Sequence, residues 1–339
     1  MKEASFYEKL EGEKVRCLVC NHRCLIKSGT RGICGVRENR AGTLISLVYR
    51  KIIARHCDPI EKKPLFHFLP GTSSYSVATV GCNFRCTFCQ NADISQMPSD
   101  QNQIMGEDMT PEEIIGLALN CRAASISYTY TEPTIYFETA LETAQAAIAG
   151  GLKNVFVSNG YMTRDCLEAI HPNLHAANVD LKSFSDRFYK EQCGARLKPV
   201  LNTIEVMREM GIWLEVTTLL IPGLNDSQEE LKDLARFLAG IDPGIPWHIS
   251  RFHPTYRLVD RPVTPVETIR RARDLGYEAG LQYVYTGNIP GDEGENTFCH
   301  NCRGPLIDRM GFQVSRNRIT DGRCPECGAK VPGVWRKGA

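Results

Sequence analysis

The sequence predicts an α/β protein whose parallel sheet closes into a barrel or partial (β/α) barrel, with a small metal-binding module at each end. Three observations predict it. Strand patterns alternate with helical ones from Ser74 to Gly287. Polar residues follow nearly every one of those strands. Cysteines cluster before that alternation, at its start and after it.

Residues 1–40 form a cysteine module rich in Gly, Arg and Lys, and 43–57, "TLISLVYRKIIARHC", read as β-rich. With three prolines, 58–71, "DPIEKKPLFHFLPG", read as an irregular connector. "YSVATV" (75–80) is the first strand of the alternation. Thr110 predicts an N-cap, and Pro111 suits the first helical position, where no N–H is needed. Strands follow at 125–130, 154–159, 175–182, 212–221, 247–252 and 281–287. Helices lie between them at 133–149, 163–170, 185–192, 199–210, 227–239 and 265–277. An open doubly wound sheet satisfies the same alternation. The strand count and the polar strand ends favour the barrel: Gly81-Cys82, Thr131-Glu132, Ser158-Asn159-Gly160, Asp180 to Lys182, Pro222-Gly223 and His253. Each alone is an ordinary turn residue; together they outline one face. The expected domains are 1–73, 74–290 and 291–339.

Composition narrows the class. With 339 residues, 42% hydrophobic, 23% charged and a net charge of +1, the chain reads as a soluble globular protein without the charge for nucleic acid or an anionic membrane. No apolar run approaches the ~18–20 residues that span a bilayer. "MKEASFYEKLEGEK" lacks the apolar core of a signal peptide, so the expected location is cytoplasmic. In a reducing compartment, 15 cysteines in clusters point to metals or catalysis before disulfides. Cys57, Cys121, Cys166 and Cys193 are scattered and read as small core residues.

"GCNFRCTFCQN" (81–91) places Cys82, Cys86 and Cys89 in a loop after the first strand. Three thiolates so spaced reach three irons of a [4Fe-4S] cluster and leave the fourth open. Zinc with three cysteines and a water competes, but zinc knuckles usually carry Gly after the pair, and here Gln90-Asn91 follow. Phe84 and Phe88 would shield the metal from water. In the tail, Cys299, Cys302, Cys324 and Cys327 form two CxxC knuckles, read as a zinc ribbon ahead of a rubredoxin-like iron site. So short a module needs metal to fold, worth on the order of 10 kcal/mol. It reads equally as a substrate- or partner-binding cap over the barrel mouth and as a staple for the C-terminus. The quartet Cys17, Cys20, Cys24 and Cys34 fits zinc or a second [4Fe-4S] cluster. Gly29, Gly32 and Gly35 bracket Cys34 as a tight knuckle needs, His22 offers a spare nitrogen, and zinc is slightly favoured because a relay is not needed when reductants reach the barrel mouth directly. His67 and Glu61 in the connector either face a substrate or pack within the loop.

CxxxCxxC after the first strand of a βα barrel resembles the signature of the radical S-adenosylmethionine (SAM) superfamily. The resemblance implies a partial barrel of that type and a [4Fe-4S] cluster on Cys82, Cys86 and Cys89 whose open iron binds SAM. It further implies reductive cleavage of SAM to a 5′-deoxyadenosyl radical that abstracts hydrogen from a substrate. Glu132-Pro133 match the family stretch that takes the methionyl amino group, with Tyr130-Thr131 in place of two glycines. Asp180 and Lys182 resemble the activase segment whose Lys meets the SAM carboxylate. Ser158-Asn159-Gly160 resemble a cofactor-binding strand end, with Val157 where activases carry a cation-binding Asp. His253 is placed like the activase His near the SAM ribose or methionine. "CLVCNHRC…GICGVR", the connector, the triplet and the CxxC tail together are similar to AmmeMemoRadiSam-system radical SAM enzymes, and the core to pyruvate formate-lyase activating enzyme. That similarity implies AMMECR-type and Memo-type partners and a low-potential reductant such as flavodoxin or ferredoxin. A glycyl-radical-enzyme activase is the alternative reading. A non-catalytic iron–sulfur carrier is the third, and it would not need Glu132, Lys182 or His253.

Overall fold

The structure, a computed structural model, describes residues 1–335. Its central sheet has eight strands: β1 Ala54–Pro59, β2 Ser73–Ala78, β3 Ser125–Tyr128, β4 Lys153–Ser158, β5 Ala176–Asp180, β6 Trp213–Leu220, β7 Trp247–Arg251 and β8 Val284–Gly287. They lie side by side in chain order. β2 to β8 run parallel, and β1 joins β2 antiparallel as an edge. A doubly wound sheet reverses its order at a switch point, and this one never does. Successive crossovers therefore put the helices on one face, and the sheet curls round the other as a partial barrel.

Six principal helices form the outer layer: α1 Pro111–Asn120, α2 Phe137–Ala149, α3 Arg164–Ile170, α4 Leu197–Glu209, α5 Gln228–Ile241 and α6 Val266–Glu278. Their starts follow local chemistry. Thr110 and Glu113 exchange a full capping box, and Thr163 and Ser227 cap α3 and α5. α5 buries Leu231, Leu234, Ala235 and Leu238, one face at helical spacing, each leucine worth roughly 1.5–3 kcal/mol. Gly276 sits in α6 because the ring of Trp247 crosses there: a Cβ would stand 3.1 Å from it.

The inner face is polar. The Oγ atoms of Ser74 and Ser127 meet at 2.6 Å, and Thr217 donates to Asn178 Oδ1 at 2.9 Å. The connector closes the N-terminal end of the strands: Ile60, Leu65 and Phe68 pack on Val155, Ala176 and Trp213. Glu61 and His67 are buried in this plug, which decides for the packed loop over a substrate-facing one. Asp58-Pro59, expected in the irregular connector, belong instead to β1, where the ladder with β2 continues through them.

Two short antiparallel sheets build the N-terminal module, one of Tyr7–Leu10, Lys14–Cys17 and Leu25–Ile26, the other of Lys2–Glu3, Thr43–Ser46 and Arg37–Arg40. The module docks on the C-terminal side of the barrel. Arg37 forks onto both oxygens of Glu138 at 2.8 Å, and Asn21 donates to the carbonyls of Tyr161 and Met162. The tail folds as three strands, Thr297–Phe298, Pro305–Met310 and Gln313–Asn317. It docks at the opposite end, where Leu306, Ile307 and Val331 pack with Phe66, Tyr283 and Tyr285. The reading of the tail as a cap over the mouth is therefore corrected: its apolar face is spent on the barrel floor. Cys57 and Cys121 are corrected too. They are not core residues but a disulfide tying the exposed edge of β1 to the end of α1. Cys166 and Cys193 are buried as expected.

Candidate active site

The loop after β2 carries Cys82, Cys86 and Cys89 at the C-terminal edge of the sheet, with Phe84 and Phe88 buried between them. Two of the three sulfurs have polar neighbours. Asn159 Nδ2 lies 3.9 Å from Cys82 Sγ, Ser95 Oγ 3.2 Å from Cys89 Sγ, and the Phe84 N–H donates to Cys82 Sγ at 3.4 Å. Burial, then Glu132 and the neighbouring thiols, pushes the Cys82 thiol up, and burial does the same to Cys89. Cys86 runs the other way: a hydrogen bond from Cys193 lowers it against the effect of burial, and the charge of Lys182 helps. Soft sulfur ligands that become thiolates only with a compensating charge suit an iron–sulfur cluster.

The strand ends converge on this loop. Glu132 is 2% exposed and acts as a brace: its carboxylate accepts from the N–H and hydroxyl of Thr134, from Ser158 Oγ at 2.9 Å and from the Asn159 N–H at 2.8 Å. Burial raises its pKa, and those donors pull it back. Asn159 in turn donates to Asn83 Oδ1 at 2.7 Å. On the other flank, Lys182 Nζ pairs with Asp180 at 3.0 Å. Burial opposes the ammonium, but Asp180 and Cys86 outweigh it and hold it well above the ordinary lysine value. Asn225 fixes the Lys182 carbonyl at 2.6 Å. His253 is exposed on the loop after β7, outside this bonded set. Its loop reaches the cysteines all the same: the Arg257 N–H donates to the Thr87 carbonyl at 3.0 Å.

Tyr130 takes the left-handed path that favours glycine, with φ of +63°. Its hydroxyl donates to Asp58 at 2.5 Å, and Asp58 also holds buried Lys63 at 2.6 Å. Burial drags Lys63 down to about 8 despite that partner.

Sequence reasoning missed Cys193, Asn83, Ser95 and Asn225. Cys193 closes a π-turn over Tyr189–Cys193, and the backbone there straps the cysteine loop: Arg85 N–H donates to the Cys193 carbonyl and Thr87 N–H to that of Gln192, both at 2.9 Å. π-turns concentrate at functional sites, but no local spacing announces this one.

A sequentially ordered parallel half-barrel with three cysteines at the end of its first parallel strand defines a class of iron–sulfur enzyme. Residues 76–238 match the family model described as the radical SAM superfamily. An uncharacterised protein of Methanocaldococcus jannaschii is 47% identical over 98% of this chain and 99% of its own. The pyruvate formate-lyase-activating enzyme of Clostridium pasteurianum is 21% identical over 48% of this chain and 67% of its own. Streptococcus suis SuiB bound to precursor peptide SuiA shares the fold, with a TM-score of 0.52 and 14% identity over 68% of this chain and 52% of that one. The chain belongs to the radical SAM superfamily and is an enzyme.

In the tail, the sulfurs of Cys299, Cys302, Cys324 and Cys327 all lie within 4.8 Å of one another. Cys299 meets Cys327 at 3.6 Å and Cys302 meets Cys324 at 3.7 Å. A tetrahedral ion with ~2.3 Å metal–sulfur bonds sets its ligands about 3.8 Å apart, so the four fit one metal ion.

Proposed function

We propose that the enzyme cleaves SAM reductively at a [4Fe-4S] cluster held by Cys82, Cys86 and Cys89 and uses the product to take hydrogen from a small polar molecule or a protein side chain. The observation that carries this reading is the convergence of Lys182, Asp180, Asn159 and Ser158 on a three-cysteine loop. When bound, the cluster and SAM supply one-electron cleavage of a carbon–sulfur bond and a carbon radical able to abstract hydrogen. The chain's residues do the rest. Lys182 offers its ammonium to the SAM carboxylate, with Asp180 holding it in place. Glu132 fixes the β3 and β4 ends, so that Ser158 and Asn159 meet SAM in a set geometry. Phe84 and Phe88 keep water from the sulfurs, and His253 closes on SAM from the loop after β7.

The polar lumen and the plugged floor support a small or side-chain substrate entering from the cysteine side. Glycyl-radical activation is the second reading, favoured by the similarity to the Clostridium activating enzyme. The tail metal is zinc in this reading, and the N-terminal quartet zinc or a second cluster. The reductant is a flavodoxin or ferredoxin, and the partners are AMMECR-type and Memo-type proteins. The test is anaerobic turnover with SAM and those two partners, followed by mass analysis. A new product that acquires its change only with SAM supports the reading. A glycyl radical formed on a partner protein favours the second one.

A further inference from the structure

Cys17, Cys20, Cys24 and Cys34 line one small cavity, and Asn83, next to Cys82, forms part of its wall. We propose that this cavity holds a second [4Fe-4S] cluster on those four cysteines, back to back with the SAM site and placed to pass it single electrons.

Spacing separates this quartet from the one in the tail. Among the described residues, the tail cysteines are the group gathered within 4.8 Å, the scale of one tetrahedral ion. The N-terminal four line one cavity without being gathered that closely. A cubane needs that wider stance, because each thiolate takes a different iron. Ligand softness alone would accept either metal.

A buried donor without a partner belongs to a residue of the cavity wall. Asn83 is 1% exposed, and its Nδ2 has no partner among the described residues. Its orientation is fixed by a chain of bonds. The Tyr161 N–H donates to Asn159 Oδ1 at 3.1 Å, so Asn159 must offer Nδ2 to Asn83 Oδ1, at 2.7 Å. An unpaired buried N–H costs about 1–3 kcal/mol, and cluster sulfur would accept it. Val19, Ile26 and Ile135 add buried apolar walls, and Arg37 and His22 line the cavity beside them.

The two cysteine loops touch. Gly81, with φ of +99°, has no room for a side chain, since a Cβ would lie 3.1 Å from the Cys34 carbonyl oxygen and 2.7 Å from Val36. The His22 ring adds a bond of 2.8 Å to the Asn83 carbonyl. On the far side Cys24 is half-buried, and Leu25 beside it is 58% exposed. The quartet thus adjoins the surface as well as the Cys82 loop. Zinc has no redox chemistry and could not carry charge there. A reduced flavin or iron–sulfur protein would give up one electron at this surface; the N-terminal cluster would take it and hand the same electron to the SAM site.

The destination of that electron rests on the proposed function; the metal does not, and iron content reads it independently. The variant Cys82→Ala/Cys86→Ala/Cys89→Ala, reconstituted anaerobically, should retain about four irons and four sulfides per chain. Iron near zero with two zincs would overturn the site. The complementary variant Cys17→Ser/Cys20→Ser/Cys24→Ser/Cys34→Ser should lose about four irons from the wild-type content. Unchanged iron would overturn the site as well. In that second variant, reduction of the remaining cluster by reduced flavodoxin should slow by about tenfold or more. An unchanged rate would overturn the relay while leaving the cluster.

Discussion

Tyr130 takes the left-handed backbone path that favours glycine. For a side chain with a Cβ this costs about 1–2 kcal/mol, which the hydroxyl's bond to the Asp58 carboxylate offsets. Tyr130→Phe keeps the strain and loses the bond, so urea unfolding should show a loss of ~1.5–3 kcal/mol. An unmoved midpoint would mean the bond contributes nothing. Lys182 and His253 are tested by SAM binding. Losing a charge-assisted contact should weaken affinity ten- to a hundredfold, roughly, with the cluster spectrum intact. Lys182→Ala should have the larger effect, because its ammonium is held beside Cys86 while His253 is exposed. Equal affinity in both variants and the wild type would remove the two residues from the site.

At the scale of elements, the tail ribbon is stitched to the connector and the barrel floor. Arg309 donates to the Phe66 carbonyl at 2.8 Å and to Thr297, and Val334 N–H bonds the His67 carbonyl at 2.7 Å. The ribbon's metal should therefore support the fold and leave the SAM site alone. Cys324→Ser should lose one zinc per chain by elemental analysis and lower the unfolding temperature while SAM affinity holds. A parallel fall in SAM affinity would contradict the placement of the ribbon away from the mouth. The elements themselves were largely legible in the sequence: Thr110-Pro111 announced α1, and the seven parallel strands lay where branched and aromatic runs predicted them. Which end the ribbon covers was not, because CxxC spacing specifies a metal and says nothing of the face that Leu306 and Ile307 bury. Cys193 was hidden for a similar reason: only the π-turn brings it to a cysteine more than a hundred positions earlier in the chain.

Across the whole molecule, chemistry gathers at one end of the barrel and a buried lock closes the other. His67 is central to that lock. Its Nδ1–H donates to the Pro332 carbonyl at 2.7 Å, which leaves Nε2 to accept from the Tyr285 hydroxyl at 2.6 Å. The neutral ring makes both bonds in this way. Burial holds the ring down at about 4; Glu215 works against that, and Arg309 and His248 reinforce it. The unfolded chain therefore binds the proton first as pH falls. Stability from this group is complete above about 6.5 and is lost between about 6.5 and 4, by roughly 3 kcal/mol at most. Urea titrations at a series of pH values should show that loss in the wild type and a smaller one in His67→Asn. Identical slopes would remove His67 as the cause.

Cys82, Cys86 and Cys89 are proposed as the site where SAM is cleaved. The direct measurement is 5′-deoxyadenosine released from SAM by the anaerobically reconstituted, dithionite-reduced protein, compared with Cys86→Ala and with the triple Ala variant. The wild type should release 5′-deoxyadenosine and methionine together, and both variants none. Cleavage at the wild-type rate by the triple variant would contradict the claim.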